Sequence, residues 1–127
     1  MKNSPTLIII RGLPGSGKTT IAKTRYPSHV LCEADQYFEG ENEKYEFDPT
    51  KLPKAHEACF QKAKEALFKG HSVVVANTFV RTWEYQRYLD LPFTIKVVEA
   101  KGNYGSIHSV PLEVIERMRK RYQHSVY

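Results

Sequence analysis

The chain is predicted to fold as an α/β three-layer sandwich, with a parallel sheet of about four strands and helices on both faces. Three observations predict this. Apolar, β-branched runs alternate along the chain with segments whose apolar residues recur at helical spacing. One run, Ser72-Val73-Val74-Val75-Ala76, is apolar throughout its centre, as in a strand buried on both faces of a parallel sheet. Between the first run and the first helical segment lies a glycine-rich stretch that ends in a lysine and a hydroxyl residue.

Taken in order, Thr6-Leu7-Ile8-Ile9-Ile10 is the first strand, and Thr20-Ile21-Ala22-Lys23-Thr24 continues the helix that the glycine stretch opens. Ser28-His29-Val30-Leu31-Cys32-Glu33 is a short second strand. Residues 34–51 are polar and aromatic, with Gly40 and Asp48-Pro49, and form an irregular excursion of the length that usually serves function. Residues 54–69 place Ala55, Ala58, Cys59, Ala63, Ala66 and Leu67 on one helical face, with Gly70 as the stop. The third strand, residues 72–76, is followed by a helix over residues 82–90, and Phe93-Thr94-Ile95-Lys96-Val97-Val98-Glu99 is the fourth strand. Residues 100–110 hold Gly102, Gly105, Ser106 and Ser109 and form a loop. Pro111, whose ring presets φ for a first turn, opens a last helix with Val114, Ile115, Met118 and Tyr122 on its apolar side.

Neither a repeat nor a flexible linker interrupts this alternation, so residues 1–127 are expected to form a single domain. The charged content of 26% and hydrophobic content of 41% suit a soluble globular protein. No apolar run approaches the ~18 residues of a membrane span. The N-terminal residues lack the apolar core and cleavage site of a secretory leader. Cys32 and Cys59 form no close-spaced metal or redox pattern, which fits two buried thiols in a cytoplasmic protein. The net charge of +5 favours an anionic partner.

Residues Gly12-Leu13-Pro14-Gly15-Ser16-Gly17-Lys18-Thr19 satisfy every fixed position of the P-loop pattern, and strand and helix flank it in the required order. The glycines let several N–H groups turn toward one phosphate, and the helix N-terminus adds partial positive charge. Lys18 then reaches the β- and γ-phosphates of ATP, and the Thr19 hydroxyl ligates Mg²⁺. The nucleotide-binding set is therefore Gly12, Pro14, Gly15, Ser16, Gly17, Lys18, Thr19 and Thr20. A glycine turn that binds nothing has no need of a lysine followed by a hydroxyl.

Ligands of open parallel sheets sit beyond the carboxyl ends of the strands. That rule gathers the P-loop, residues 35–38, residues 77–81 and residues 101–108 into one crevice. Asp35, just past the second strand, either accepts the proton of an attacking hydroxyl or holds the metal through water. An aspartate capping a turn would sit there equally well. The third strand ends in Asn77 and Thr78 where many P-loop proteins place an acid; these two are candidates for the acceptor, or simply a solvated turn. Arg81 follows them, either as a catalytic cation or as an exposed residue opening a helix.

This series of motifs resembles the polynucleotide 5′-hydroxyl kinase family and small P-loop relatives of the AAA ATPase and kinase kind. It comprises the P-loop, Asp35 after the second strand, Val73-Val74-Val75-Ala76-Asn77-Thr78 and a terminal Val110-Pro111-x-x-x-Ile115-x-x-Met118 helix. The resemblance implies Lys18 and Thr19 at phosphate and Mg²⁺, and Asp35 as the base that activates the acceptor hydroxyl. Two positions depart from the family pattern. Phe38 stands where the family often has an arginine, and residues 101–108 hold no lid arginine. An arginine supplied to phosphoryl transfer is worth about 10³ to 10⁵ in rate. Arg81, or less effectively Lys101, would have to replace it.

Arg117, Lys120 and Arg121 share one face of the last helix, with Arg119 beside them. Such a stripe follows a nucleic-acid backbone, though a cationic helix end favoured by its own dipole carries the same charges. Arg117 is thus a candidate acceptor contact. Aromatic side chains Tyr37, Phe38, Tyr45, Phe47 and Tyr104, with His108, are available to stack on a base or to pack their loops down. The sequence leads to an ATP- and Mg²⁺-dependent phosphotransferase acting on a hydroxyl, with a DNA or RNA 5′ end as the foremost acceptor. A small-molecule kinase and a nucleotide-dependent binding module remain as alternatives. The oligomeric state is left open.

Overall fold

The computed structural model describes residues 4–38, 48–102 and 112–122. Its sheet has four parallel strands in the order β2-β3-β1-β4, where β1 is Thr6–Arg11, β2 Val30–Cys32, β3 Val73–Asn77 and β4 Thr94–Glu99. The central pair is fixed in register by Ile8 opposite Val74 and Arg11 opposite Asn77. On the other side of β1, Arg11 stands opposite Glu99 of β4. The fold class is as the sequence predicts.

Alternate residues of a strand face opposite sides of a sheet, and the cores divide accordingly. Leu7, Ile9, Cys32, Val73 and Val75 face one layer, formed by α2 (Leu52–Phe68) and α3 (Gln86–Leu89), with Cys59, Phe60, Ala63, Leu67, Tyr85 and Tyr88 packed against them. Ile8, Ile10, Val74 and Ala76 face α1 (Lys18–Arg25), where Ala22 is the buried contact. Every residue of β3 is buried, which explains its uniformly apolar run. α2 ends where Gly70 N–H donates to Leu67 O at 3.0 Å and His71 N–H to Ala66 O at 2.9 Å, closing its last turn.

Two segments are wound differently from what the sequence suggests. The excursion after β2 begins as a 3₁₀ helix, Ala34–Phe38, and closes with another, Pro49–Lys51, capped by Asp48 Oδ1 on Thr50 N–H at 3.0 Å. Phe38 is buried with Ala34 and Ala55, which fastens the first of these turns beneath α2. The segment expected to be one helix over residues 82–90 is a 3₁₀ turn, Thr82–Tyr85, running into the short α3. Tyr85 and Tyr88, three residues apart, both anchor in the core, and that spacing suits the tighter winding. The last helix, α4, is Leu112–Arg121; Val114, Ile115, Met118 and the following Tyr122 are its half-buried residues, the apolar side read from the sequence. Among the described residues no helix is long and apolar enough to cross a membrane.

Candidate nucleotide and phosphoryl-transfer site

β1 delivers the chain into the glycine loop, and the loop is pinned on both sides. Gly12 N–H donates to Thr78 O at 3.3 Å, Ala100 N–H to Arg11 O at 2.7 Å, and Gly102 N–H to Ser16 O at 3.0 Å. The exits of β3 and β4 thereby hold the loop's two ends. Gly12 is required by closeness: a Cβ there would collide with Ser16 Oγ and lie 2.7 Å from the Ala100 carbonyl oxygen. Gly15 and Gly17 adopt φ of 78° and 93°, a left-handed conformation that places the turn before α1 and costs other residues about 1–2 kcal/mol. Gly17 is the N-cap of α1, so the free N–H groups of the first helical turn open onto the loop.

Lys18 Nζ donates to Gly12 O at 3.0 Å and Leu13 O at 3.1 Å, curling over the loop that bears it. Burial lowers its pKa to about 8, while the nearby carboxylates of Asp35 and Glu33 act in the opposite direction. Asp35 and the P-loop lysine, sequence-distant, are therefore within one another's field. Thr19 Oγ1 donates to Glu33 Oε2 at 2.6 Å. Ser16 Oγ is buried and has no hydrogen-bond partner among the described residues. Pro14 and Gly15 are half-buried in the loop, and Thr20 is exposed on α1, its carbonyl accepting from Thr24 Oγ1 at 2.7 Å.

These residues fit a Mg²⁺–nucleotide. The loop presents N–H groups and an ammonium for phosphate, and the Thr19 hydroxyl and carboxylate oxygens are the hard donors magnesium takes beside phosphate. When bound, the ion would neutralise charge on the transferring phosphate. Among the described residues no group of three or more His, Cys, Asp or Glu side chains is placed to hold a metal by itself.

The turn bearing Asp35 is tied down from several directions. Ala34 N–H donates to Asn77 Oδ1 at 2.8 Å, and Gln36 Nε2 to Leu31 O at 3.1 Å. Lys62 Nζ reaches both Leu31 O and Gln36 Oε1 at 3.0 Å. Asn77, expected at the acceptor, lies inside the protein at 6% exposure, with Nδ2 at 3.5 Å from Cys59 Sγ. Its amide joins the end of β3 to the Asp35 turn, because a side chain at that register position points into the layer beneath α2. Thr78 is half-buried and meets the P-loop through its carbonyl.

Arg81 is half-buried, and its backbone N–H donates to Glu84 Oε1 at 2.9 Å while Glu84 N–H returns to Arg81 O at 3.1 Å. Arg117 is exposed on α4. Tyr37 is exposed and packs edge-on against the buried Phe38. Lys101 is exposed. Tyr45, Phe47, Tyr104 and His108 lie outside the described residues, as does most of the loop after β4.

Three residues near the site carried no role in the sequence reading. Glu33 was seen only as the end of a strand. The ring of His56 on α2 lies tilted at 6.3 Å from that of Phe79; burial lowers its pKa, and the carboxylates of Glu84 and Asp35 oppose the shift. Arg11 ends β1 wholly buried. Its guanidinium donates from Nε and Nη2 to Phe79 O at 3.1 and 2.7 Å, from Nη2 to Val80 O at 3.1 Å, and from Nη1 to Glu99 Oε1 at 3.2 Å. It is also stacked between Tyr85 and Tyr122, at 4.9 and 4.3 Å from their ring centroids. The one available signal was a charged residue closing an otherwise apolar strand.

Comparison with known proteins places this geometry in a family. Residues 7–99 match the AAA domain family. Over 137 aligned residues the chain is 36% identical to the human (Homo sapiens) NEDD4-binding protein 2, covering 94% of this chain and 8% of that protein's length. The fold is similar to a chain in the structure of the Pnkp1/Rnl/Hen1 RNA repair complex, with a TM-score of 0.63, 18% identity, and coverage of 99% of this chain and 42% of that one. It is similar also to a gluconokinase from Sinorhizobium meliloti 1021, with a TM-score of 0.62, 16% identity, and coverage of 97% and 78%. The chain belongs to the AAA domain family and has the P-loop kinase-like fold.

Proposed function

We propose that the protein binds ATP with Mg²⁺ on the P-loop and transfers the γ-phosphate to a hydroxyl, with a nucleic-acid 5′-hydroxyl as the acceptor. The observation that carries the reading is the P-loop itself, with Lys18 curled over Gly12 O and Leu13 O at its centre and the charges of Asp35 and Glu33 acting on it. Lys18 would exchange its two loop carbonyls for β- and γ-phosphate oxygens, and Thr19 would face the ion. Asp35 would take the proton of the acceptor hydroxyl as its oxygen bonds to the γ-phosphorus and the bond to the ADP oxygen breaks. Asn77 serves this site from behind, by fixing the backbone beside Asp35. Thr78 and Arg117 are left as the acceptor-side candidates, and Arg81 is the catalytic cation that would stand in for the family's arginine. The nucleic-acid acceptor draws on the exposed basic residues of α4 and on the fold shared with a chain of an RNA repair complex.

A second reading, a nucleotide-dependent binding module with slow turnover, is favoured by Phe38. That position is filled by a ring buried against Ala34 and Ala55, and it supplies no charge to a phosphate. Transfer of label from γ-labelled ATP to 5′-hydroxyl DNA, 5′-hydroxyl RNA and a panel of sugars and other alcohols decides between them. Under the first reading an oligonucleotide is labelled, and Asp35→Asn lowers the rate by about 10² or more, on the scale of a lost general base. Labelling of a sugar alone would move the acceptor to a small molecule. ATP binding with no labelling would favour the module.

A further inference from the structure

We infer that Glu33 is the metal-side carboxylate of this site, taking the Mg²⁺ of the bound nucleotide together with Thr19 and leaving Asp35 to the acceptor. The inference rests on the proposed nucleotide reading and divides labour within it. Sequence logic makes Asp35 the charged group for both tasks, because β3 ends in Asn77 and brings no acid. The structure offers a second carboxylate. Glu33 Oε2 is the oxygen that the Thr19 hydroxyl touches, at 2.6 Å, and Thr19 is the P-loop position that faces magnesium.

Glu33 is also held in place. Its N–H donates to Gln36 Oε1 at 3.3 Å, and its carbonyl accepts from Gln36 N–H at 3.2 Å. Gln36 is in turn fixed by Lys62 and by Leu31 O. A carboxylate on so restrained a turn loses little freedom on meeting an ion. Magnesium keeps several waters and takes one or two protein oxygens beside phosphate, so one carboxylate and one hydroxyl are a sufficient protein contribution. A plain hydrogen-bond acceptor for Thr19 would need no charge, and neutral side chains would serve as well. The charge is therefore the feature to test.

Glu33→Gln retains an oxygen for the Thr19 hydroxyl and removes only the charge. Calorimetry would measure a non-hydrolysable ATP analogue with and without Mg²⁺, and electron paramagnetic resonance would measure Mn²⁺ bound in the presence of the analogue. The wild type is expected to bind the analogue more tightly with the metal. Glu33→Gln should bind the metal-free analogue at least as well as wild type but lose that gain, with Mn²⁺ affinity lowered about tenfold or more. Asp35→Asn should keep most of the gain. A full metal gain in Glu33→Gln overturns the inference, and so does an equal loss in both variants, which would deny the division of roles. Glu33→Ser is measured in parallel and judged by the same outcomes, so that misfolding of one substitution does not decide the matter. A wild type that binds no analogue at all would refute the nucleotide reading itself, and that arm distinguishes the two failures.

Discussion

Arg11 shows how a buried charge can be structural and still matter to the site beside it. It immediately precedes Gly12, yet its guanidinium turns away from the loop to Phe79, Val80 and Glu99. Phe79 sits at φ 47°, a left-handed conformation for a bulky residue. Its carbonyl takes two guanidinium donors, and its ring packs with those of Tyr85 and Tyr88. The turn from β3 to Arg81 is thus held against local preference by the residue that immediately precedes the P-loop. Arg11→Met would remove donors from two buried carbonyls and a partner of Glu99, and is expected to destabilise the fold by about 3–5 kcal/mol. Arg11→Lys should recover only part of this, because a single ammonium cannot span a fork of donors. Urea denaturation followed by circular dichroism checks both. A loss within about 0.5 kcal/mol for Arg11→Met, the range of ordinary surface changes, would mean the network is replaceable.

At the scale of elements, what the sequence reveals depends on whether an element is made by periodicity or by tertiary contact. The four strands and the helices α2 and α4 were legible from their apolar spacing and α1 from its place after the glycine loop, and Gly17 and Gly70 mark a start and a stop. The turn at Ala34–Phe38 and the broken segment from Thr82 to Leu89 were not, because buried Phe38, Tyr85 and Tyr88 set their winding from outside. For the same reason the P-loop motif could be read from the sequence, while the contacts of Glu33, Asn77 and Arg11 emerge only from sequence-distant partners. α4 is the element where charge carries an expectation. Arg117, Lys120 and Arg121 are exposed, while Arg119 is paired with Glu116 at 3.4 Å. If the acceptor is single-stranded nucleic acid, replacing these three by glutamine should flatten the slope of log K against log salt by about 2, at ~0.7 per phosphate neutralised. ATP affinity should stay unchanged. Fluorescence anisotropy of a labelled oligonucleotide across a salt series measures this, and an unchanged slope would remove α4 from the interface.

For the molecule as a whole, the layer beneath α2 and α3 sets a limit on stability at high pH. Cys32 and Cys59 are both buried there, and Tyr88 Oη donates to Cys59 Sγ at 3.5 Å. Burial pushes the Cys32 thiol up to about 12, and burial likewise raises Cys59 and Tyr88. In the unfolded chain thiols ionise near ~8.5 and tyrosine near ~10. Above about pH 8.5 the unfolded state therefore releases protons that the native state retains, so stability falls as pH rises. For Cys32 the fall begins near ~8.5 and continues to about 12, where the native thiol itself ionises. Within that window Cys32 contributes a slope of up to about 1.4 kcal/mol per pH unit. Lysines and the remaining tyrosines also titrate at high pH, so the informative quantity is a difference between variants. Cys32→Ala opens a small cavity, a cost that does not depend on pH, and it also removes one of these titrating groups. Urea midpoints between pH 8 and 10 should then fall less steeply for the variant than for the wild type, by up to about 1.4 kcal/mol per unit after conversion. Parallel curves would mean that the buried thiol ionises in the native protein as readily as in the unfolded one. That could hold only if water or a cation reached Cys32 between β2 and α2, where the structure leaves it no exposure.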